Sequence, residues 1–428
     1  MTGIARALRG AAALVLATTL LAACDRHAAD VTVVRFWAMG REGEVVSALL
    51  PEFERTHPGI RVDVQQLPWS AAHEKLLTAF AGDATPDVCQ LGNTWIPEFA
   101  ALDALEPLDA SVASSSVDPR DFFGGIWDTN VVAGRLYGVP WYVDTRLLFY
   151  RRDLLEAAGV AKPPTSWPDW VRTLAAVEST AQPGRFGILL PLNEVEPLVA
   201  LALQQPEPLL RDGGRYGNFQ SAGFRRALAF YAAMFRDGYA PLVTASDTSN
   251  VWNEFGRGAF AFYITGPWNI GEFSRRLPAA VQPLWSTAPL PGPDGPGMSI
   301  AGGSSLVVFR ASRAKAAAWQ LVEYLARPDV SLRFHALTGD LPPRRSAWDD
   351  ASLASDVHAR AFRDQLERVR PAPKVPEWER IADEMRVVAE RVVRGGTSID
   401  DAVRELDARA DRILEKRRWL LARAGQPG

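Results

Sequence analysis

Two carboxylates, Glu42 and Asp144, and a set of tryptophans beside glycine, proline or charged residues are the side chains of this 428-residue sequence best suited to chemistry. An indole ring packs on the apolar face of a pyranose, while carboxylates, amides and guanidinium groups hydrogen-bond its hydroxyls. Together they make the mixed aromatic and polar wall of a small-ligand cleft. Tryptophan occurs fourteen times. A large ring taken alone belongs more often in a core, so the reading rests on neighbours. Trp95 follows Asn93 and Thr94 just after the apolar run at residues 87–91, and Arg41 and Glu42 follow the run at residues 31–37. The segment Gly138-Val139-Pro140-Trp141-Tyr142-Val143-Asp144-Thr145-Arg146 sets aromatics beside a carboxylate, and Gly266-Pro267-Trp268-Asn269 closes another apolar run. Gly302-Gly303-Ser304 offers bare backbone amides to a closely approaching ligand. A carboxylate pair such as Glu42 and Asp144 could also serve as acid and base in glycoside hydrolysis, although no motif fixes such a pair.

These residues need a scaffold, and the apolar pattern supplies one. Residues 31–37 carry consecutive β-branched side chains and read as a strand. Residues 43–56 have helical spacing at Val45, Leu49, Leu50 and Phe53, stopped by His57-Pro58-Gly59, and residues 60–67 read as the next strand. A helix at residues 71–82 then leads into the strand at 87–91. Strands alternating with helices imply a parallel sheet with helices on its faces, which bind ligands beyond the carboxyl ends of the strands. The alternation returns after Tyr137 with a strand-like run at 142–150, a helix at 152–159 and a capped helix at 169–179, so a second lobe is expected. Further helices are predicted at 224–235, at 314–326 and from 376 to the end, with Ser398 capping the last after a Gly395-Gly396 break. Strands are predicted at 259–265 and 304–309.

The start of the chain reads as an address. Arg6 and Arg9 precede an alanine- and leucine-rich run at residues 10–23, too short to span a bilayer, which ends at Leu21-Ala22-Ala23-Cys24. The pattern is that of a lipoprotein signal cleaved before Cys24, which would carry the lipid, with residues 24–30 as a tether. An ordinary signal peptide with a chance cysteine is the alternative. The only other cysteine, Cys89, lies in an apolar run and reads as a small core residue, so no disulfide is expected. The five histidines lack metal-ligand spacing, and no metal or cofactor is expected. The net charge of −3 grows more negative without the leader. Basic residues are interspersed with acids, and Lys416-Arg417-Arg418 reads as a solvated helix face, so nucleic acid is not an expected partner.

A resemblance emerges from the run Arg35-Phe36-Trp37 through Pro51-Glu52-Phe53-Glu54, the Thr85-Pro86-Asp87-Val88 turn, Tyr137-Gly138-Val139-Pro140 with the run Leu148-Phe149-Tyr150-Arg151-Arg152-Asp153-Leu154-Leu155, and Ile264-Thr265-Gly266-Pro267-Trp268. In order and spacing these resemble the extracellular solute-binding proteins of carbohydrate ABC importers, the family of maltose- and trehalose/maltose-binding proteins. The resemblance covers essentially the whole mature chain. It implies an α/β, two-lobed periplasmic-binding-protein fold (type II), each lobe a mainly parallel sheet flanked by helices, with the ligand in the interlobe cleft. The lobes it implies are 31–142 with 300–340 and 143–299 with 341–428, after a signal peptide at 1–23.

The resemblance also implies a site. The loop after the first strand gives Arg41 and Glu42, with Glu44 as a competing acid, and the loop after the third gives Asn93 and Trp95. A carboxylate common near that position in the family is missing. The crossover gives Tyr142 and Asp144, the Gly-Pro-Trp motif gives Trp268 as a stacking platform, and Gly302 and Gly303 match the second crossover. Arg344 or Arg345 resembles an arginine brought from the last crossover; Trp69 and Asn193 or Glu194 are further candidates. The implied protein is a monomeric, non-enzymatic, exported lipoprotein at the cell membrane, facing the periplasm or the exterior. It would capture a disaccharide or short oligosaccharide, with a lean to trehalose or maltose, by hinge closure and pass it to ABC permease subunits. Hydrolysis through Glu42 and Asp144, a sensor subunit, or a binding protein for another small solute are the competing readings.

Overall fold

A computed structural model describes residues 31–245, 247 and 250–424. The lipobox, Cys24 and the tether lie outside the described residues. In chain order the elements that matter are β1 Thr32–Met39, α1 Gly40–Val45, β2 Ile60–Leu67, α2 Trp69–Ala81, β3 Val88–Gly92, β4 Val139–Asp144 and β5 Leu147–Arg151. They continue with α3 Trp167–Thr180, β6 Phe186–Leu189, α4 Glu196–Leu203, β7 Phe260–Thr265, α5 Trp268–Arg276, β8 Trp285–Ala288, β9 Ser299–Ile300 and β10 Gly302–Val308. The last are α6 Pro328–Thr338, β11 Val369–Arg370, α7 Trp378–Val393 and α8 Ile399–Ile413.

Two sheets define two lobes. The first has strand order β2-β1-β3-β10-β4 and the second β8-β5-β7-β6. In the first, β1 runs parallel to β2 and β3, and β10 is inserted antiparallel between β3 and β4. In the second, β5 is antiparallel to both neighbours, while β7 and β6 are parallel. Both faces of each sheet are covered, as the period of two along a strand requires. On β5, Leu148 and Tyr150 enter one buried cluster and Leu147 and Phe149 another. On β10, Leu306 and Val308 face one cluster and Val307 the opposite one. Each fully buried side chain of this size contributes about 1.5–3 kcal/mol.

The run at 142–150, continuous in pattern, is divided in space. β4 ends at Asp144 in the first sheet and β5 begins at Leu147 in the second, so Thr145 and Arg146 carry the chain between lobes. Apolar periodicity cannot register that break, because both halves are buried. The chain returns at Ile300–Gly302, where β9 pairs with β11 and β10 joins the first sheet. Leu341 later forms an antiparallel bridge with Val143. The helix expected at 43–56 is broken into α1, a 3₁₀ turn and a short helix at Leu50–Thr56. The capping expectations hold locally: Ser166 Oγ accepts from Asp169 N at 3.3 Å to start α3, and Ser398 Oγ accepts from Asp401 N at 3.1 Å to start α8. Among the described residues, no helix is long and apolar enough to cross a membrane.

Candidate functional site

The carboxyl ends of β1, β3 and β4 open onto a cleft of about 510 Å³. Its first-lobe wall holds Glu42, Trp69, Asn93, Thr94, Trp95 and Tyr142, and Asp340 joins it from the turn after α6. Asp144 and Arg146 stand at the crossover; Glu196, Trp268 and Glu379 come from α4, α5 and α7. Ile300, Gly302, Gly303 and Ser304 complete the lining. A separate cavity of about 470 Å³ draws only on chain from Leu203 onward, without any residue of the first sheet.

Of the twelve leading residues expected at a site, eight share this cleft, Glu42, Asn93, Trp95, Tyr142, Asp144, Trp268, Gly302 and Gly303, and so does the further candidate Trp69. Four do not. α1 begins immediately after β1, and its turn directs Glu42 inward while Arg41 and Glu44 face solvent, paired with each other at 3.2 Å. Arg344 is buried against Asp121, with Nε donating to Oδ2 at 2.6 Å and Nη1 to the Ala326 carbonyl at 3.2 Å. Arg345 faces outward, pairs with Glu367 and lies 4.6 Å over the Phe123 ring. The last crossover therefore brings the acid Asp340 to the cleft rather than an arginine. Asn193 lies outside the cleft and accepts a hydrogen bond from Ala245 N.

The floor is a buried polar network. Gln90 of β3 accepts from Met39 N at 2.7 Å and donates through Nε2 to Tyr142 Oη at 3.1 Å and Ser304 Oγ at 3.4 Å. Ser304 Oγ donates to Tyr142 Oη at 3.0 Å. Asn93 accepts from Ser305 Oγ at 3.1 Å, while among the described residues its Nδ2 is buried without a partner. Gln90, fully buried, was not among the sequence candidates; a glutamine inside an apolar strand run was its one signal. Gly303 has φ +122°, and a Cβ there would lie 2.3 Å from the Tyr142 carbonyl, so its role is close strand approach.

Electrostatics divide the cleft in two. Burial raises the carboxyls of Glu42 and Asp340; Glu42 further resists ionisation of Asp340, while the hydrogen bond with Asp340 eases that of Glu42, so Asp340 is the acid of the pair that keeps its proton longer. Burial and these two acids likewise push the Tyr142 phenol well up, keeping it a donor. Across the cleft, burial raises Asp144 against the pull of Arg146, whose Nη1 is 2.5 Å from Asp144 Oδ1. Arg146 Nη2 lies 3.8 Å from Glu196, and its guanidinium sits 4.7 Å over the Trp268 ring. The Trp268 ring lies on Gly266, where a Cβ would be 1.9 Å away. Behind them, burial pushes Glu194 up to about 7 against the pull of Arg146.

Aromatic surface from one lobe thus confronts aromatic surface from the other. Trp69 and Trp95 meet edge to face at 5.7 Å on one side, with Trp268 on the other. The remaining tryptophans include four fully buried rings, Trp141, Trp170, Trp285 and Trp348.

Comparison with known proteins places this geometry. The family model for bacterial extracellular solute-binding proteins matches residues 39–331. A solved structure of the sugar-binding protein MalE from the phytopathogen Xanthomonas citri is 59% identical, with a TM-score of 0.89, and the match covers 93% of this chain and 100% of that one. A Streptomyces antibioticus protein described as a lipoprotein is 30% identical over 86% of this chain and 84% of its own length. The diacetylchitobiose-binding protein of Streptomyces coelicolor is 24% identical over 86% and 85%.

Proposed function

Given that the chain belongs to the bacterial extracellular solute-binding proteins, we propose that it captures a disaccharide or short oligosaccharide and delivers it to ABC permease subunits, with an α-glucoside such as trehalose or maltose as the leading ligand. The observation that carries the reading is the cleft itself: tryptophans of both lobes face one space of about 510 Å³ among carboxylates, an unpartnered amide and an arginine. That volume falls within the range of small-ligand pockets. Stacking on Trp268, Trp95 and Trp69 supplies affinity, and Glu42, Asn93, Tyr142, Asp144 and Arg146 supply direction. Because ligand touches both lobes, it favours the closed state, with the moving bodies 31–142 with 300–340 and 143–299 with 341–428.

The protein is a binder, as its relatives are. Asp144 is occupied by Arg146 at 2.5 Å, which argues against its serving as an acid or base. The membrane anchor through Cys24, a periplasmic or exterior location and a monomeric state complete the proposal; the lipoprotein relative supports the anchor. Calorimetric titration of the leaderless protein against neutral mono-, di- and oligosaccharides is the test. Saturable binding of an α-glucoside near one per chain is expected. Silence across the whole panel, from folded protein, would overturn the reading.

A further inference from the structure

His73 lines no part of the cleft, yet it touches what does. It lies on α2, four residues beyond Trp69, and its ring centroid is 5.0 Å from that of Trp95, which in turn meets Trp69. Its Nε2 is 2.6 Å from Glu98 Oε2. A groove of about 630 Å³ separates this wall from the second lobe's α7, whose Glu379 lines both the groove and the cleft and hydrogen-bonds Thr94.

Of the charges around the groove, Glu379 is the second-lobe carboxylate that bears on His73. On the first lobe His73 faces Glu98 and its neighbour Glu74; across from it stand Glu379, Arg380, Asp383 and Glu384. Asp383 is held by Arg386 at 2.7 Å and Glu384 by Arg409. Among the described residues, Glu379 has no ion pair closer than 4 Å, and Glu98 has His73 alone.

We propose that His73 is a positioning residue that backs the Trp95 platform and couples closure of the cleft to protonation through Glu98 and Glu379. The proposal rests on the sugar-binding reading. When the lobes part, His73 keeps Glu98 and Glu74 but loses Glu379; when they meet, it faces all three carboxylates. The closed state therefore holds the imidazolium proton more tightly than the open one, and a ligand that favours closure takes up a proton. The direction of the His73 shift agrees: Glu98, chiefly by its hydrogen bond, raises it against burial, and Glu379 adds to the rise. Affinity should consequently strengthen as pH falls through the His73 range.

The test is sugar affinity by calorimetry from pH 8.5 to 6.0, with the His73 imidazole followed by NMR. Wild-type protein should tighten about fivefold over that interval. Because Glu42, Asp340 and Glu194 also face or adjoin the cleft, the difference between proteins decides. His73→Gln and Glu379→Gln should each flatten the slope, and His73→Phe, which keeps a ring against Trp95, should lose it as well. Ligand should raise the His73 midpoint in wild type and not in Glu379→Gln. Parallel slopes in wild type and His73→Gln, or an unmoved midpoint on saturation, overturn the coupling. If no sugar binds, the function above fails separately. The His73 midpoint with the lobes held together by an engineered cross-link, expected to be lower in Glu379→Gln than in wild type, then still decides: equal values overturn the proposal.

Discussion

The guanidinium of Arg146 lies 4.7 Å over the Trp268 ring while its Nη1 reaches Asp144 at 2.5 Å. One cation at the lobe crossover therefore orients the platform and neutralises the acid beside it. Replacing Arg146 with Met should strand Asp144, whose side chain is only 26% exposed. Breaking a buried pair costs about 3–5 kcal/mol, and partial exposure lowers that to about 2. A denaturant titration reads the loss, and sugar affinity should fall with it.

Trp268→Ala separates binding from stability. The ring is partly exposed and borders the cleft, so its loss should weaken sugar binding at least about tenfold, or ~1.4 kcal/mol, with the melting temperature little changed. Gly266→Ala should do more harm, because its Cβ would stand 1.9 Å from the Trp268 ring. Calorimetry and thermal melts on the two variants give the comparison.

Glu194 carries a pH signature. Burial lifts its carboxyl to about 7 from an ordinary 4.5, so between those values the folded protein keeps a proton that the unfolded chain has released. Stability contributed by that proton is present at low pH, declines from about 4.5 and is gone above 7. Glu194→Gln should thus be more stable than wild type at pH 8, by about 1–3 kcal/mol, and nearly equal to it at pH 4.5. Denaturation midpoints at the two pH values check the crossover.

Arg344→Ala tests a residue that sequence assigned to the cleft. Its ties to Asp121 and the Ala326 carbonyl are structural, so the variant should lose about 2–3 kcal/mol of stability and retain sugar affinity within about twofold. A large drop in affinity from a folded variant would return Arg344 to the site.

Legibility in the sequence followed the range of the interactions. Strands and helices of the first lobe were readable because apolar periods of two and 3.6 are local, and Ser166 and Ser398 announced helix starts by residue type alone. Glu42 could be distinguished from Arg41 and Glu44 only once the exact first residue of α1 was known. Asp340 and Glu379 reach the cleft from elements far along the chain, so no local pattern marks them. The Gln90–Ser304 contact spans 214 residues and is equally silent. Arg146 stood within a segment read for its aromatics and carboxylate, and its partners became visible only with the crossover.

The antiparallel strand β10 carries a consequence for export. It lies between β3 and the edge strand β4, so β4 has no partner in the first lobe's sheet until residues near 308 have been delivered. A chain threading through a secretion channel from its amino end thus cannot complete that lobe from its first 144 residues, and must hold β3 and β4 unjoined while the second lobe emerges. Loop closure over so long a separation is slow, so completion of the first lobe's sheet falls late in folding, after the second lobe's strands are available.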